Sequence, residues 1–176
     1  MTTPSSAGEL ATREPSPAQK QIIDDILLLY QLHPSKTAYS HYSPNATFHD
    51  PISIAHPLSS IQSQFNSMPK LFAESTTQKC SLLAESTDSK LALNLTQHYV
   101  FKSAIPFKSK GVEKTVNSKV TLHLNGEGFI ERHDEEWDHE GNKSGDDGFF
   151  GKVAEGRKKA GAKMVEKAVT SDPNKV

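Results

Sequence analysis

Tyr39-Ser-His-Tyr-Ser-Pro-Asn-Ala-Thr-Phe-His-Asp50-Pro51, then a short loop and the run from Pro57 to Phe72, is the stretch that decides the fold. Ala46 to Asp50 has the two-residue period of a strand, with Ala46, Phe48 and Asp50 on one face and Thr47 and His49 on the other. So short a strand is not stable alone and must pair with others. Leu58, Ile61, Phe65, Met68 and Phe72 then recur at spacings of three and four, one side of an amphipathic helix that Pro69 should kink or restart near its end. The strand closes in Asp50-Pro51, which sets a carboxylate on the same face as Phe48.

N-terminal to this stretch, Ser16, Pro17 and Gln19 form a capping box with proline at the first helical position. Ile22, Ile23, Ile26, Leu27, Leu29 and Tyr30 follow as a wide apolar stripe, and Pro34 stops the helix because the residue before a proline is pushed out of helical space. Ser35 can cap a second, short helix through Tyr42, ended by Pro44. Residues 1–15, rich in Ser, Thr and Pro, are expected to be a disordered leader.

C-terminal to it, the period changes from helical to two. Strands are expected at about 76–86, 90–102, 112–125 and 128–138, with Asn125-Gly126 a strong hairpin signal. Their order favours an antiparallel meander. Leu91, Leu93, Leu95, Tyr99 and Phe101 face one way in the second; Val116, Val120, Leu122 and Leu124 do so in the third. The fourth has no clean side: Phe129, Glu131, His133, Glu135 and Trp137 oppose Ile130, Arg132, Asp134 and Glu136. A strand of this kind lies at a sheet edge, is partly solvated, or lines a wet pocket. Residues 139–148 read as a flexible loop, and Phe149-Phe150 opens a basic helix to about Val169. Helices before a twisted antiparallel sheet make an α+β fold, with one domain over residues 16–138 and the loop and basic helix over 139–176.

Composition narrows the function classes. The chain has 176 residues, a net charge of −1 and a pI of about 6.7, which gives no general attraction to nucleic acid. Its one cysteine, Cys80, sits in an apolar-alternating run and reads as a buried thiol. No window has the apolar length of a membrane span, and Met1 to Pro15 lacks the apolar core of a secretory signal, so a cytoplasmic or nucleocytoplasmic protein is expected. The eight histidines are spread without a metal-ligand spacing, and neither a metal nor a cofactor is expected.

Over about residues 17–138 this organisation resembles the nuclear-transport-factor-2-like (NTF2-like) superfamily, in particular its SnoaL-like branch. The residues that carry the likeness are Tyr42-Ser-Pro-Asn-Ala-Thr-Phe-His-Asp50-Pro51, then Ile61-Gln-Ser-Gln-Phe65, with Glu135-Glu136-Trp137-Asp138 similar to the family's closing strand. A glycine usual in the loop before the helix is replaced by Ile54-Ala55-His56-Pro57. The resemblance implies a cone: N-terminal helices over the concave face of a curved antiparallel sheet, with a pocket between. Relatives commonly pair through the sheet, so a homodimer is implied as well.

In ketosteroid isomerase, a member of that superfamily, the carboxylate at the Asp-Pro position is the general base, and Asp50 falls there. Burial beside Phe48 would raise its pKa and make it a usable proton acceptor; the plainer alternative is that Asp50 caps the following turn. No tyrosine matches the isomerase's oxyanion hole by position, Tyr30 lying near the right helix at a different spacing. Scytalone dehydratase, another relative, uses tyrosines and histidines, and His133 is the histidine that shares a register with Trp137. The expectation is a domain that binds a small apolar molecule, with Asp50 as base and His133 as acid or polariser if it is an isomerase or dehydratase. Tyr39, Tyr42, Phe65, Tyr99 and Trp137 would shape the pocket. The alternative is a non-catalytic interaction or dimerisation module of the transport-factor type.

Overall fold

The computed structural model of the chain describes residues 10–103 and 111–137 and, in a helical segment near the C terminus, residues 151, 153–156, 158 and 159. Helix α1 (Pro17–Tyr30) begins with the expected capping box: Gln19 N donates to Ser16 Oγ at 3.3 Å, and Ser16 N donates to Gln19 Oε1 at 3.1 Å. It ends before Pro34 can act, because the chain turns left-handed at Leu32 (φ 65°) and His33 N bonds back to Leu28 O at 2.8 Å. Ordered pairing also starts ahead of Ser16: Thr12 bridges Leu83, and Arg13 N donates to Leu82 O at 3.0 Å.

Helix α2 (Lys36–Ser40) is shorter than expected, and strand β1 (Tyr42–Asp50) takes in residues assigned above to that helix and a turn. Pro44 lies within β1, where the pairing register shifts between Tyr42 and Thr47, so its missing N–H interrupts no regular ladder. Alternation holds as expected, with Ala46, Phe48 and Asp50 buried. A three-residue strand that the sequence reading missed, β2 (Ser53–Ala55), folds back on β1. Helix α3 (Leu58–Leu71) buries Ile61, Phe65 and Met68 and runs through Pro69, which falls in its last turn. Phe72, expected on that helix face, instead opens β3 (Phe72–Leu82).

Strands β4 (Lys90–Phe101), β5 (Glu113–Leu124) and β6 (Ile130–Trp137) complete a six-stranded sheet in the order β2-β1-β6-β5-β4-β3. From β3 to β6 it is the expected antiparallel meander. The whole sheet is mixed rather than antiparallel, because β1 lies parallel to β6. These two strands are joined through all the rest of the domain, so no hairpin dictates their direction. The edges are β2 and β3, which corrects the edge reading of β6: that strand is central. The α+β class stands, with the helices laid on one face of a curved sheet that does not close on itself. Ile26, Leu29, Ile61, Phe65, Leu93, Leu122 and Ile130 lie in the core between the layers.

The loop expected at 139–148 and most of the expected last helix fall outside the described residues. No helix among the described residues is long and apolar enough to cross a membrane.

One polar pair fastens α1 to the start of the sheet. Asp25, on α1, bonds to His41 Nε2 at 2.8 Å and accepts from Gln21 Nε2 at 2.8 Å, while the His41 carbonyl accepts from Ile130 N at 2.7 Å. The hydrogen bond with His41, then that from Gln21, holds the Asp25 carboxyl below its usual 3.8. With the folded value depressed, this stabilisation is fully present above that usual value and is lost as pH falls through the lower folded one. Asp25→Asn is therefore expected to lower the urea midpoint at pH 7 and to lower it by less at pH 3. Equal losses at both pH values would show that the charge contributes nothing.

Candidate functional site

Strand β6 sets the site through an irregularity in its pairing. Leu124 pairs with Ile130 and His123 with Arg132, so Glu131 is an extra residue, a β-bulge. The bulge reverses the alternation between Ile130 and His133. Ile130, His133 and Glu135 point inward, while Phe129 is 41% exposed instead of sharing their face as expected. A run that looked charged on both sides therefore has one inner face carrying a histidine and a carboxylate.

His133 is fully buried. Its Nδ1 lies 2.8 Å from the Tyr42 hydroxyl and its Nε2 lies 3.0 Å from the Tyr30 hydroxyl. Phe48 meets the ring edge-on, with centroids 4.8 Å apart. Burial pushes the imidazole down to about 3, against a partial opposing pull from Asp134 and Asp50, so it is neutral near pH 7. The same desolvation raises both phenols well above their ordinary range, which keeps them protonated.

Proton counting fixes the direction of these bonds. Tyr30 donates its single proton to Glu135 Oε2 at 3.1 Å, so it must accept from His133 Nε2–H. Nδ1 is then bare and accepts from Tyr42. The chain runs Tyr42 O–H to His133, His133 N–H to Tyr30, and Tyr30 O–H to Glu135, whose other oxygen accepts from Trp137 Nε1 at 3.1 Å. Every member is satisfied in one sense only, which makes the network cooperative.

Glu135 lines a small pocket of about 30 Å³ that is partly open at the surface. Helices contribute Tyr30, Phe65 and Met68 to its lining. The sheet contributes Phe48, Phe72, Tyr99, Val116 and Trp137 beside Glu135, and Val153 of the C-terminal segment lines it as well.

Of the residues singled out from sequence, Phe65, Tyr99 and Trp137 line this cavity. Tyr42 and His133 stand one layer behind it, through Tyr30. Tyr39 donates to Asn66 Oδ1 at 2.9 Å and does not line it. Asp50 is buried, but its Oδ1 accepts from Ile52 N at 3.0 Å, Ser53 N at 2.8 Å and Ser53 Oγ at 3.0 Å, the geometry of a turn cap. It lines a larger cleft of about 400 Å³ with His49, Arg132 and Asp134, and Glu135 and Trp137 line that cleft as well. Sequence reasoning set Tyr30 aside on its spacing and missed Glu135. Tyr30 was counted in the apolar stripe of α1, and Glu135 was legible only as part of a strand without a clean face.

No family model matches the sequence, and no curated protein matches it. Solved structures match the fold. A provisionally assigned SnoaL-like polyketide cyclase from Shewanella putrefaciens CN-32 superposes with a TM-score of 0.56, covering 72% of this chain and 93% of that one at 14% identity. This chain has the NTF2-like fold. An NTF2-like protein from Anabaena variabilis ATCC 29413 gives 0.56 over 69% of this chain and 87% of that one, at 11% identity. A provisionally assigned polyketide cyclase from Pseudomonas putida KT2440 gives 0.56 over 72% and 95%, at 8% identity. At such identities the likeness is one of architecture, and the NTF2-like cone here carries its own set of polar residues.

The hydrogen-bond chain makes a spectroscopic prediction. Nitrogen-15 spectra of histidine-labelled protein should show His133 as the neutral Nε2–H tautomer from pH 8 down to pH 5, without the imidazolium shift of an exposed ring. Tyr42→Phe should cost about 1–3 kcal/mol of stability, because it strands a buried acceptor. An imidazolium signal for His133 at pH 5 would contradict the assignment.

Proposed function

We propose that the protein binds a small, largely apolar molecule in the hollow between α3 and the concave face of the sheet, with Glu135 meeting the ligand's hydrogen-bonding end. The observation that carries this is one carboxylate held at the wall of a cavity otherwise lined by aromatic and aliphatic side chains. Tyr30 and Trp137 donate to its oxygens and hold it in place.

In this reading Glu135, not Asp50, is the proton acceptor for a ligand with an acidic C–H. Asp50, whose Oδ1 takes three hydrogen bonds as a turn cap, does not line this cavity. His133, neutral, positions Tyr30 and through it Glu135. The chemistry is cofactor-independent proton transfer of the isomerisation, dehydration or cyclisation kind, and polyketide cyclisation, named for structural neighbours, falls in that class. One observation favours the alternative, a non-catalytic interaction module: a cavity of about 30 Å³ is far smaller than a drug-sized ligand needs.

The chain's single tryptophan lines the cavity, so its emission reports occupancy. Titration with 4-tert-butylphenol, an apolar body with one hydroxyl donor, is expected to change Trp137 fluorescence saturably. Glu135→Gln should weaken that binding about tenfold or more, the worth of a hydrogen bond to a charged group, and Asp50→Asn should not. The reverse order would return the role to Asp50. Unsaturable change in every variant would favour the interaction module.

A further inference from the structure

We propose that the hydrogen-bond chain behind Glu135 reverses when that carboxyl takes a proton, and that Tyr42, at the far end, makes the protonated form the strained one. Tyr42 is then a positioning residue, which acts through His133 and Tyr30 to return the proton to the ligand. The proposal rests on the reading of Glu135 as proton acceptor and adds what governs it. In the resting chain Tyr42 donates to His133 Nδ1 at 2.8 Å, His133 Nε2 donates to Tyr30 at 3.0 Å, and Tyr30 donates to Glu135 Oε2 at 3.1 Å. Each of these donors has its acceptor only while Oε2 carries no proton toward Tyr30.

A ligand C–H that gives its proton to Oε2 keeps the electron pair and turns Glu135 into a donor. Oε1 still accepts from Trp137 Nε1 at 3.1 Å, so the new O–H is the one that meets Tyr30. Tyr30 then accepts from Glu135 and points its own proton at His133 Nε2, which must be bare. The ring proton sits on Nδ1 instead and is donated to the Tyr42 oxygen. Tyr30, His133 and Tyr42 keep the number of protons they had; only the place on the ring changes. The Tyr42 hydroxyl hydrogen is left over. Tyr42 is 3% exposed, and His133 is its hydrogen-bond partner among the described residues. No member escapes by changing its charge. Burial holds both phenols well above their ordinary range and pushes the imidazole down to about 3. The chain therefore has two directions, and every member is paired in the first alone.

Glu135→Gln holds the full-length protein in the reversed state without ligand. Its amide oxygen faces Trp137 Nε1–H, and its amide nitrogen faces Tyr30 as a donor, like the protonated acid. Nitrogen-15 spectra of histidine-labelled protein are expected to show His133 as Nε2–H in the wild type and as Nδ1–H in Glu135→Gln. Adding Tyr30→Phe to Glu135→Gln cuts the link and should restore Nε2–H. Tyr42→Phe should raise the midpoint of the Glu135 titration by about one pH unit, a tenfold gain in proton affinity, because protonation no longer strands a hydroxyl. Carbon-13 labelling of glutamate reads that midpoint, with Glu135→Gln as the blank. The other ionisable groups around Glu135 are Tyr30 and Tyr99 in the pocket and His49, Asp50, Arg132, Asp134 and Glu136 in the cleft. They are the same with and without the Tyr42 hydroxyl, so the difference isolates the chain. An Nε2–H ring in Glu135→Gln, or a midpoint unmoved by Tyr42→Phe, would overturn the reversal. Neither readout uses a ligand, so that failure leaves the pocket reading standing. A protein that fails to bind 4-tert-butylphenol overturns the pocket reading and leaves the reversal in place.

Discussion

A neutral histidine clasped between two tyrosine hydroxyls is the constraint on which the rest depends. His133 is fully buried, so each ring nitrogen needs a partner, and a buried polar atom without one costs about 1–3 kcal/mol. The partners come from α1 through Tyr30 and from β1 through Tyr42, while His133 itself is on β6. Two neighbouring elements, α1 and β1, and the distant β6 are thereby held in one relation. The apolar core supplies most of the stabilisation, but it is directionless; the hydrogen bonds select which packing of helix on sheet is the native one.

The placement of the carboxylate follows from strand geometry. Glu135 is two residues beyond His133, so it points to the same face, and the bulge at Glu131 decides that this face is the inner one. Because β6 is paired with β1 on one side and β5 on the other, neither the bulge nor the side chains beyond it can drift. The outer face of the same strand follows the opposite rule. Asp134 lies among Arg132, His49 and His123 at 2.7–3.7 Å, in contact with solvent, where such pairs contribute little to stability. One strand thus carries a positioned carboxylate inside and an ordinary charged surface outside.

The sequence made the scaffold legible where local signals agree. The capping box at Ser16, the stripe from Ile22 to Tyr30, the apolar spacing from Leu58 to Met68 and the alternation of β4 and β5 each read directly into structure. It failed where distant pairing overrides local preference. Pro44 suggested a break, yet a parallel neighbour with an irregular register accommodates it within β1. Phe129 seemed to share a face with His133 because a bulge leaves no mark in a period-two pattern. The candidate site was half legible: His133, Tyr42, Phe65, Tyr99 and Trp137 all belong to the cavity or its support. Tyr30 was hidden within a helix stripe, and Glu135 within a run of four acidic residues among Glu131, Asp134, Glu135 and Glu136. Neither gains a meaning until the fold brings them within 3.1 Å of each other.

The most direct measurement of the central claim is a double-mutant cycle between Tyr42→Phe and Glu135→Gln, read by chemical denaturation. Hydrogen bonds link these side chains through His133 and Tyr30, whereas independent roles would make their effects add. A directional chain predicts a coupling energy on the order of 1 kcal/mol, which vanishes when Tyr30→Phe cuts the link between them. Strict additivity, with or without the Tyr30 hydroxyl, would contradict the chain and the orientation of Glu135 that depends on it.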